Sequence, residues 1–352
     1  MPPQVPGAEA EAEFRERLIK RDEARLWHHR SLLYDIAVKE EFAALRRWAR
    51  QELALLSKDQ RHQLAGKLWR ERDHYSAIYE LAAGEALRTA GLTPVYEQRW
   101  GKLSPDWSVY GNGGGLVCLV EVHTDQSPRE VDDQIRGWRS FGDRFNSIAS
   151  PFVFMVAEDS PWEPPSAGDG KRIVQEMRES LFRINMTGRF QSCGYAFVVM
   201  TDGSGRPVRG RGLRAELAWP TPIAGRVSAE KMARKVNDKV SRYRQLADDL
   251  NVPLIVAVGA EPFTGVTLDV VDDLIAGRGT IVIQFNGSDL TRGVSGGTLD
   301  LGRSARWEMP PNLAGLVWLQ RDFPFSATAR PNTGGRRPMP DALAGMGNAA
   351  EE

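Results

Sequence analysis

The sequence predicts an α/β (α+β) fold built on a central mixed sheet, and two observations carry that expectation. Short apolar runs alternate with longer stretches of three- and four-residue apolar spacing from about residue 74 onward. These are the signatures of buried strands and amphipathic helices in alternation. The chain is also long and apolar enough to bury a large core, with 352 residues of which 41% are hydrophobic and 26% charged.

Residues 1–10, rich in Pro, Ala and Glu, are expected to be disordered. Over residues 11–73 the spacing of Phe14, Leu18, Leu33, Ile36, Ala37, Phe42, Leu45 and Trp48 predicts an N-terminal helical region. Within it, Ser57-Lys58-Asp59-Gln60 has the form of a capping box, in which the Ser and Gln side chains satisfy backbone donors reciprocally. The next helix, HYSAIYELAAGEALRTAG, stops at Gly91, where glycine accepts the left-handed cap conformation.

The period then changes. TPVYEQRW (93–100) and PDWSVYG (105–111) read as strands, GNGGG as a turn, and LVCLVEVH (116–123) as a buried strand. REVDDQIRGWRSFGDRFNSI is a helix and PFVFMVAE (151–158) another buried strand. KRIVQEMRESLFRINM is helical, and GYAFVVMTD and LRAELAW flank GSGRPVRGRG like the arms of a hairpin. SAEKMARKVNDKVSRYRQLADDL is a long basic helix, read as a solubilising surface beside the apolar stripe Met232, Val236, Val240 and Tyr243. VPLIVAVG, TIVIQF and GLVWLQ are late strands, TLDVVDDLIAG is a short helix, and 326–352 is expected to be an irregular tail. The main α/β domain is therefore placed at 74–325.

No apolar run approaches the ~20 residues that a bilayer span requires. The opening stretch MPPQVPGAEAEAEF lacks the basic and apolar regions of a secretory signal, and two Cys, Cys118 and Cys193, build no disulfide framework. The expected location is the cytoplasm. Forty-six basic and 46 acidic groups cancel overall, yet the balance is uneven along the chain. Residues 76–170 hold 7 basic and 14 acidic groups, a net of −7, whereas 171–245 hold 16 and 6, a net of +10. Clustered carboxylates attract divalent cations, and clustered basic groups attract phosphates.

Three familiar patterns fail on context. Gly293-Val294-Ser295-Gly296-Gly297 has the serine-hydrolase spacing, but no His follows it to complete a triad. GNGGG precedes a strand and lacks the Lys-Ser/Thr of a phosphate-binding loop. His28, His29 and His62 have no matching ligand cluster.

One constellation persists: Glu80 on a helix, Pro105-Asp106 opening a strand, and Glu121-Val122-His123 ending the next. Strand alternation puts residues 121 and 123 on one face, with Asp106 on the neighbouring strand and Glu80 on the helix able to approach it. Converging carboxylates need a cation, and oxygen ligands suit Mg²⁺ or Mn²⁺. Glu121 is the most persuasive member, because it closes the apolar run LVCLV, where an uncompensated carboxylate is costly to bury.

A helix with Glu, then Pro-Asp, then Glu-x-Lys across α-β-β-β-α-β resembles the PD-(D/E)xK, or restriction-endonuclease-like, nuclease superfamily. Residues 74–158 match that order. The runs YELAAGEALRTAGLTPVYEQ…SPDWSV…LVEVHT and KVNDKVSRYRQLADDLNVPLIVAVGAEP are similar to a largely uncharacterised bacterial branch, so the likeness covers roughly 74–280. The resemblance implies Asp106 and Glu121 as ligands of Mg²⁺ or Mn²⁺, with Glu80 auxiliary. Gln134, opening Gln134-Ile135-Arg136-Gly137-Trp138, is similar to the start of a Gln-x-x-x-Tyr motif of some branches. Where such nucleases place Lys, this chain has His123.

Three outcomes stay open there. His123 acts as a base or extra ligand, a cation reaches in from Lys102, Arg136 or Arg139, or the site binds without cutting. Arg206, Arg209, Arg211 and Arg214 form a basic turn suited to phosphate contact. The expected function is a divalent-metal-dependent nuclease acting on DNA, possibly on RNA. The alternative is a catalytically inactive module binding nucleic acid, or a partner protein or second copy through the N-terminal helices.

Overall fold

The structure is a computed structural model, and it describes residues 15–16, 19–20, 31–126, 129–210, 212–219, 229–261, 264–277 and 306–347. The expected disorder of 1–10, the strand TIVIQF, the Gly-x-Ser-x-Gly stretch and Arg211 lie outside the described residues.

The N-terminal region forms helices α1 (Leu32–Val38), α2 (Ala43–Ala54) and α3 (Lys58–Leu68). Helix α3 opens with the Ser57/Gln60 capping box. Helix α4 (His74–Thr89) follows, and its C-terminal chain reverses at Gly91 with φ +77°, where a side chain would strain the backbone. Trp48, Leu53, Leu56, Leu64 and Leu68 share one apolar cluster with α4. Arg88 pairs with Glu52, and Trp48 Nε1 donates to Glu85 at 2.8 Å. The N-terminal helices thus form part of the main core.

A six-stranded sheet has the order β1-β2-β3-β8-β9-β10. β1 (Thr93–Tyr96), β2 (Trp107–Tyr110) and β3 (Leu116–Asp125) form an antiparallel meander. β3 then runs parallel to β8 (Leu254–Ala260), and β8 parallel to β9 (Leu313–Leu319). Cys118, Val120 and Val122 of β3 belong to the cluster containing α4. Leu119 belongs instead to the cluster of the long helix α7 (Ala229–Asp249), with Met232, Val236, Val240 and Tyr243. Helices therefore cover both faces, which is why β8 and β9 read as unbroken apolar runs. Glycine permits close contact on the α4 side: a Cβ on Gly84 would sit 2.6 Å from the Trp107 ring. That approach brings α4, and Glu80 with it, onto the start of β2.

A second sheet has the order β5-β6-β4-β7. It comprises β4 (Val153–Val156), β5 (Arg189–Ser192), β6 (Tyr195–Val199) and β7 (Glu216–Ala218), packed with α5 (Arg129–Phe145) and α6 (Ala167–Thr187). Three expectations are corrected here. PFVFMVAE does not complete the first sheet, because β4 pairs with β6 and β7; the parallel neighbour of β3 is β8. The α-β-β-β-α-β order expected within 74–158 is therefore not found in one sheet; the strand beside β3 is β8, and the helix before it is α7. β6 and β7 do not form a hairpin either, since each pairs with β4 from opposite sides. The C-terminal tail is also partly regular. After α8 (Leu268–Ala276) and β9 come β10 (Ala327–Pro331), an edge strand antiparallel to β9, and the short helix α9 (Asp341–Ala344). Strand β10 ends at Pro331, as an edge position permits.

Candidate functional site

β3 carries Glu121, His123 and Asp125 on the face turned to α7, at alternate positions from Leu119. Asp106 directly precedes β2. Its backbone N–H donates to Glu121 Oε1 at 3.1 Å, and its own Oδ2 accepts the Val122 N–H at 2.7 Å. These reciprocal bonds lock the two carboxylates together across the β2–β3 pair.

Both carboxylates meet one cation. Lys239 Nζ, from the middle of α7, lies 2.7 Å from Glu121 Oε2 and 3.8 Å from Asp106 Oδ2. The second distance belongs to the same ammonium group. Only 3% of the Glu121 side chain and 21% of that of Asp106 is exposed, so this interaction is poorly screened. Burial pushes the Asp106 carboxyl up to about 6, and the neighbouring Glu121 adds to it, against the pull of Lys239. Burial pulls the Lys239 ammonium down, but Glu121 and Asp106 more than offset this and leave it above its ordinary value. It stays cationic at neutral pH. The Tyr243 hydroxyl, one turn along α7, donates to the Ser104 carbonyl at 2.9 Å, and burial and nearby Glu121 hold its pKa up.

Glu80 comes from the opposite side of the sheet. Its carboxylate accepts from Lys67 Nζ at 3.2 Å, from Ser76 Oγ at 3.2 Å and from the Tyr96 hydroxyl. Burial and the adjacent Asp106 raise its pKa. It is a fully hydrogen-bonded neighbour of the pair, and Lys67 ties the N-terminal helices to the site.

His123 is close to Glu121 along β3, but its Nε2 has no hydrogen-bond partner and lies 3.9 Å from Asp125 Oδ1. Burial, then Lys239, Lys235 and Lys231, lower its pKa to about 4, so the ring is neutral at pH 7. The cation beside the two carboxylates is Lys239. The expected sources do not supply it: Arg136 pairs with Asp133, Arg139 with Glu71, and Lys102 sits exposed in the turn before β2.

Gln134 is half-buried on α5, one turn from Trp138, whose ring lies in the core of the second sheet. No hydrogen bond joins Gln134 to the carboxylate pair, so the structure does not bring it into the site. Arg206, Arg209 and Arg214 are exposed in the segment between β6 and β7, with Phe152 bridging Arg209, and none of them contacts the carboxylates.

Sequence reasoning missed Lys239, which stands 118 residues from Glu121. A signal existed. Lys239 flanks the stripe Met232, Val236, Val240 and Tyr243, so its stem must lie along the buried side of α7.

Among the described residues, no three His, Cys, Asp or Glu side chains converge closely enough to hold a metal ion by themselves. The donors present nevertheless suit Mg²⁺, which is commonly held by one or two carboxylates together with waters and substrate phosphate oxygens. Asp106 and Glu121 are two such carboxylates already converging on one cation. Comparison with known proteins finds no matching family, no matching characterised relative and no matching solved structure.

Proposed function

We propose that the protein is a divalent-cation-dependent phosphodiesterase acting on nucleic acid, with its centre at Asp106, Glu121 and Lys239. The observation that carries this reading is the convergence of both carboxylates on the Lys239 ammonium, at 3.8 and 2.7 Å. Two carboxylates and a lysine resemble the residue set of the PD-(D/E)xK pattern, here with the lysine on a helix and not at position 123, and this likeness supports the reading. The order α4-β1-β2-β3-α7-β8 supports the same reading.

Asp106 and Glu121 would hold Mg²⁺ or Mn²⁺, which when bound supplies a polarised water and offsets charge on the scissile phosphate. Lys239 contributes a fixed positive charge that binds a phosphate oxygen and stabilises charge developing on it. The reciprocal bonds to the Asp106 and Val122 N–H groups keep both carboxylates oriented. Glu80, held by Lys67 and Tyr96, buttresses Asp106 from behind.

The test is cleavage of DNA and RNA with Mg²⁺ or Mn²⁺. Asp106→Ala, Glu121→Ala and Lys239→Ala should each lower the rate by at least ~10²-fold, the scale seen when one charge-stabilising group is removed. Wild-type rates in these variants would remove the assignment.

One observation favours a second reading, a binding module that does not cut. Lys239 already pairs with both carboxylates, so the site is partly compensated without a metal. Calorimetric titration with Mn²⁺ separates the two: binding lost in Glu121→Ala supports the enzyme, and no binding supports the module.

A further inference from the structure

The chain between β1 and β2 leads directly into Asp106, and it is held from several sides. The Glu97 N–H donates to the Asp106 carbonyl at 2.9 Å, and Trp100 and Leu103 exchange backbone hydrogen bonds at 2.8 and 3.1 Å. The Trp100 indole N–H donates to buried Ser108 Oγ at 2.9 Å, and the Tyr110 hydroxyl donates to Gln98 Oε1 at 2.8 Å. Helix α7 holds the same loop, through Tyr243 bonded to the Ser104 carbonyl and through Leu103 packed in the cluster of α7 and β8. The loop is therefore fixed both by the sheet and by the helix that carries Lys239.

This fixed loop presents cations. Arg99 and Lys102 are exposed on it, Lys102 four residues before Asp106. Arg242 joins them from α7, one turn beyond Lys239 and also exposed. Its guanidinium lies 5.2 Å from the centroid of the Tyr243 ring, whose hydroxyl holds Ser104. Among the described residues, none of these three cations forms an ion pair with a carboxylate. Exposed cations elsewhere do, as Arg136 with Asp133, Arg189 with Asp159 and Lys235 with Asp238. Residues 97–105 hold one carboxylate, half-buried Glu97, so three cations stand against one acid at this edge of the site. An arriving anion has no ion pair to break and little loop to order, which favours its binding.

We infer that Arg99, Lys102 and Arg242 form a phosphate-binding rim that seats a nucleic-acid strand beside Asp106 and Glu121. This rests on the phosphodiesterase reading for what happens to the strand and adds where the strand lies. Arg242 stands three residues from Lys239, ~4.5 Å of helix, close to the ~3.4 Å between successive phosphates of one strand along a duplex axis. Lys239 then meets the scissile phosphate while the rim holds its neighbours. The contacts are to phosphates, so the rim favours no base sequence. Arg206 and Arg209 of the second sheet are the rival surface, exposed but without contact to the carboxylates.

The experiment is fluorescence-anisotropy titration of labelled single- and double-stranded oligonucleotides in EDTA, with salt varied, on the full chain. The variants are the triple Arg99→Ala/Lys102→Ala/Arg242→Ala, the pair Lys102→Glu/Arg242→Glu, and the rival pair Arg206→Ala/Arg209→Ala. Removing three phosphate contacts should lower the slope of log K against log salt by about 2–3, since each contact contributes roughly one unit. Affinity at low salt should fall at least ~10-fold in the triple variant, with the rival pair close to wild type. Unchanged melting excludes unfolding as the cause, and should the triple variant unfold, Lys102→Gln alone repeats the test with a slope change of about 1. A wild-type slope in the rim variants, a slope lost in the rival pair in their place, or a wild-type protein that binds no polynucleotide overturns the rim. The two readings fail separately. Cleavage that depends on Asp106 alongside an unaltered salt slope overturns the rim alone. Binding through the rim with no cleavage under Mg²⁺ or Mn²⁺ overturns the hydrolytic reading and leaves the rim standing.

Discussion

The two sheets of this protein are stabilised by different chemistry. The six-stranded sheet is covered on both faces, mainly by aliphatic side chains, and its interior holds buried Glu80, Glu121 and Asp125. The four-stranded sheet packs an aromatic core of Trp138, Phe141, Phe145, Phe154, Phe190, Tyr195 and Phe197. Ring pairs within it, such as Phe145 and Phe154, have centroids 5.6 Å apart in edge-to-face geometry. One sheet gathers three buried carboxyls around β3, while the other buries one, Glu216, beside a core dominated by aromatic packing. The difference teaches where chemistry is to be sought, since ligand sites in sheets with parallel strands gather near the carboxyl ends of those strands.

The contrast can be broken at three points. The largest effect is expected in the aromatic core. Phe197→Ala should cost about 3–5 kcal/mol in urea unfolding, because a fully buried ring leaves a cavity that its neighbours fill only in part. A loss below ~1 kcal/mol would show that this core is not what holds the second sheet.

An intermediate effect is expected at the site. Lys239→Met keeps an apolar stem against α7's stripe but strands the Glu121 charge. Stability at pH 7 should fall by roughly 2–3 kcal/mol, less than for a fully buried pair because 29% of the Lys239 side chain is exposed. Equal or greater stability would mean that the ammonium group is there for function alone.

The smallest effect has the opposite sign. Asp106 has its carboxyl pushed up to about 6 in the fold, above the ordinary 3.8. Its contribution to stability is fully present below about pH 4 and is lost as pH rises through about 6. Asp106→Asn removes that loss, and its amide oxygen can still accept the Val122 N–H. The variant should therefore be more stable than wild type at pH 7.5, by about 1–3 kcal/mol, with the advantage shrinking through pH 6 and gone below pH 4. Taking the difference between the two proteins cancels the opposing titrations of His123 and Asp125. A variant destabilised at pH 7.5 would show that Asp106 is not strained by its charge.

Local signals were readable in the sequence where physics is local. The Ser57/Gln60 box, the Gly91 stop, and strands β1 to β3 with Asp106 and Glu121 at their expected places all follow from short-range rules. Pairing is not local. PFVFMVAE reads as a buried strand whichever sheet it joins, so nothing in its own residues distinguishes β4's true neighbours from β3. Lys239 was hidden for the same reason: a lysine on a basic helix looks like any solvated charge until the helix is laid against β3. Helix α7 was read as a solubilising surface because its charges are spread around its circumference. The edge strand β10 was missed because Arg, Pro and Gly dominate its surroundings.

The whole four-stranded sheet is inserted between β3 and α7, which has a consequence for the order of folding. Glu121 can meet Lys239 only after 118 residues have been closed into a loop, at an entropic cost of about 4 kcal/mol if that chain were a flexible coil. Collapse of the aromatic sheet beforehand would draw the two ends together and remove most of that search. The inserted sheet would then be the clasp that brings the two halves of the site into register, and a nascent chain would gain its charged centre only once the later segment had emerged.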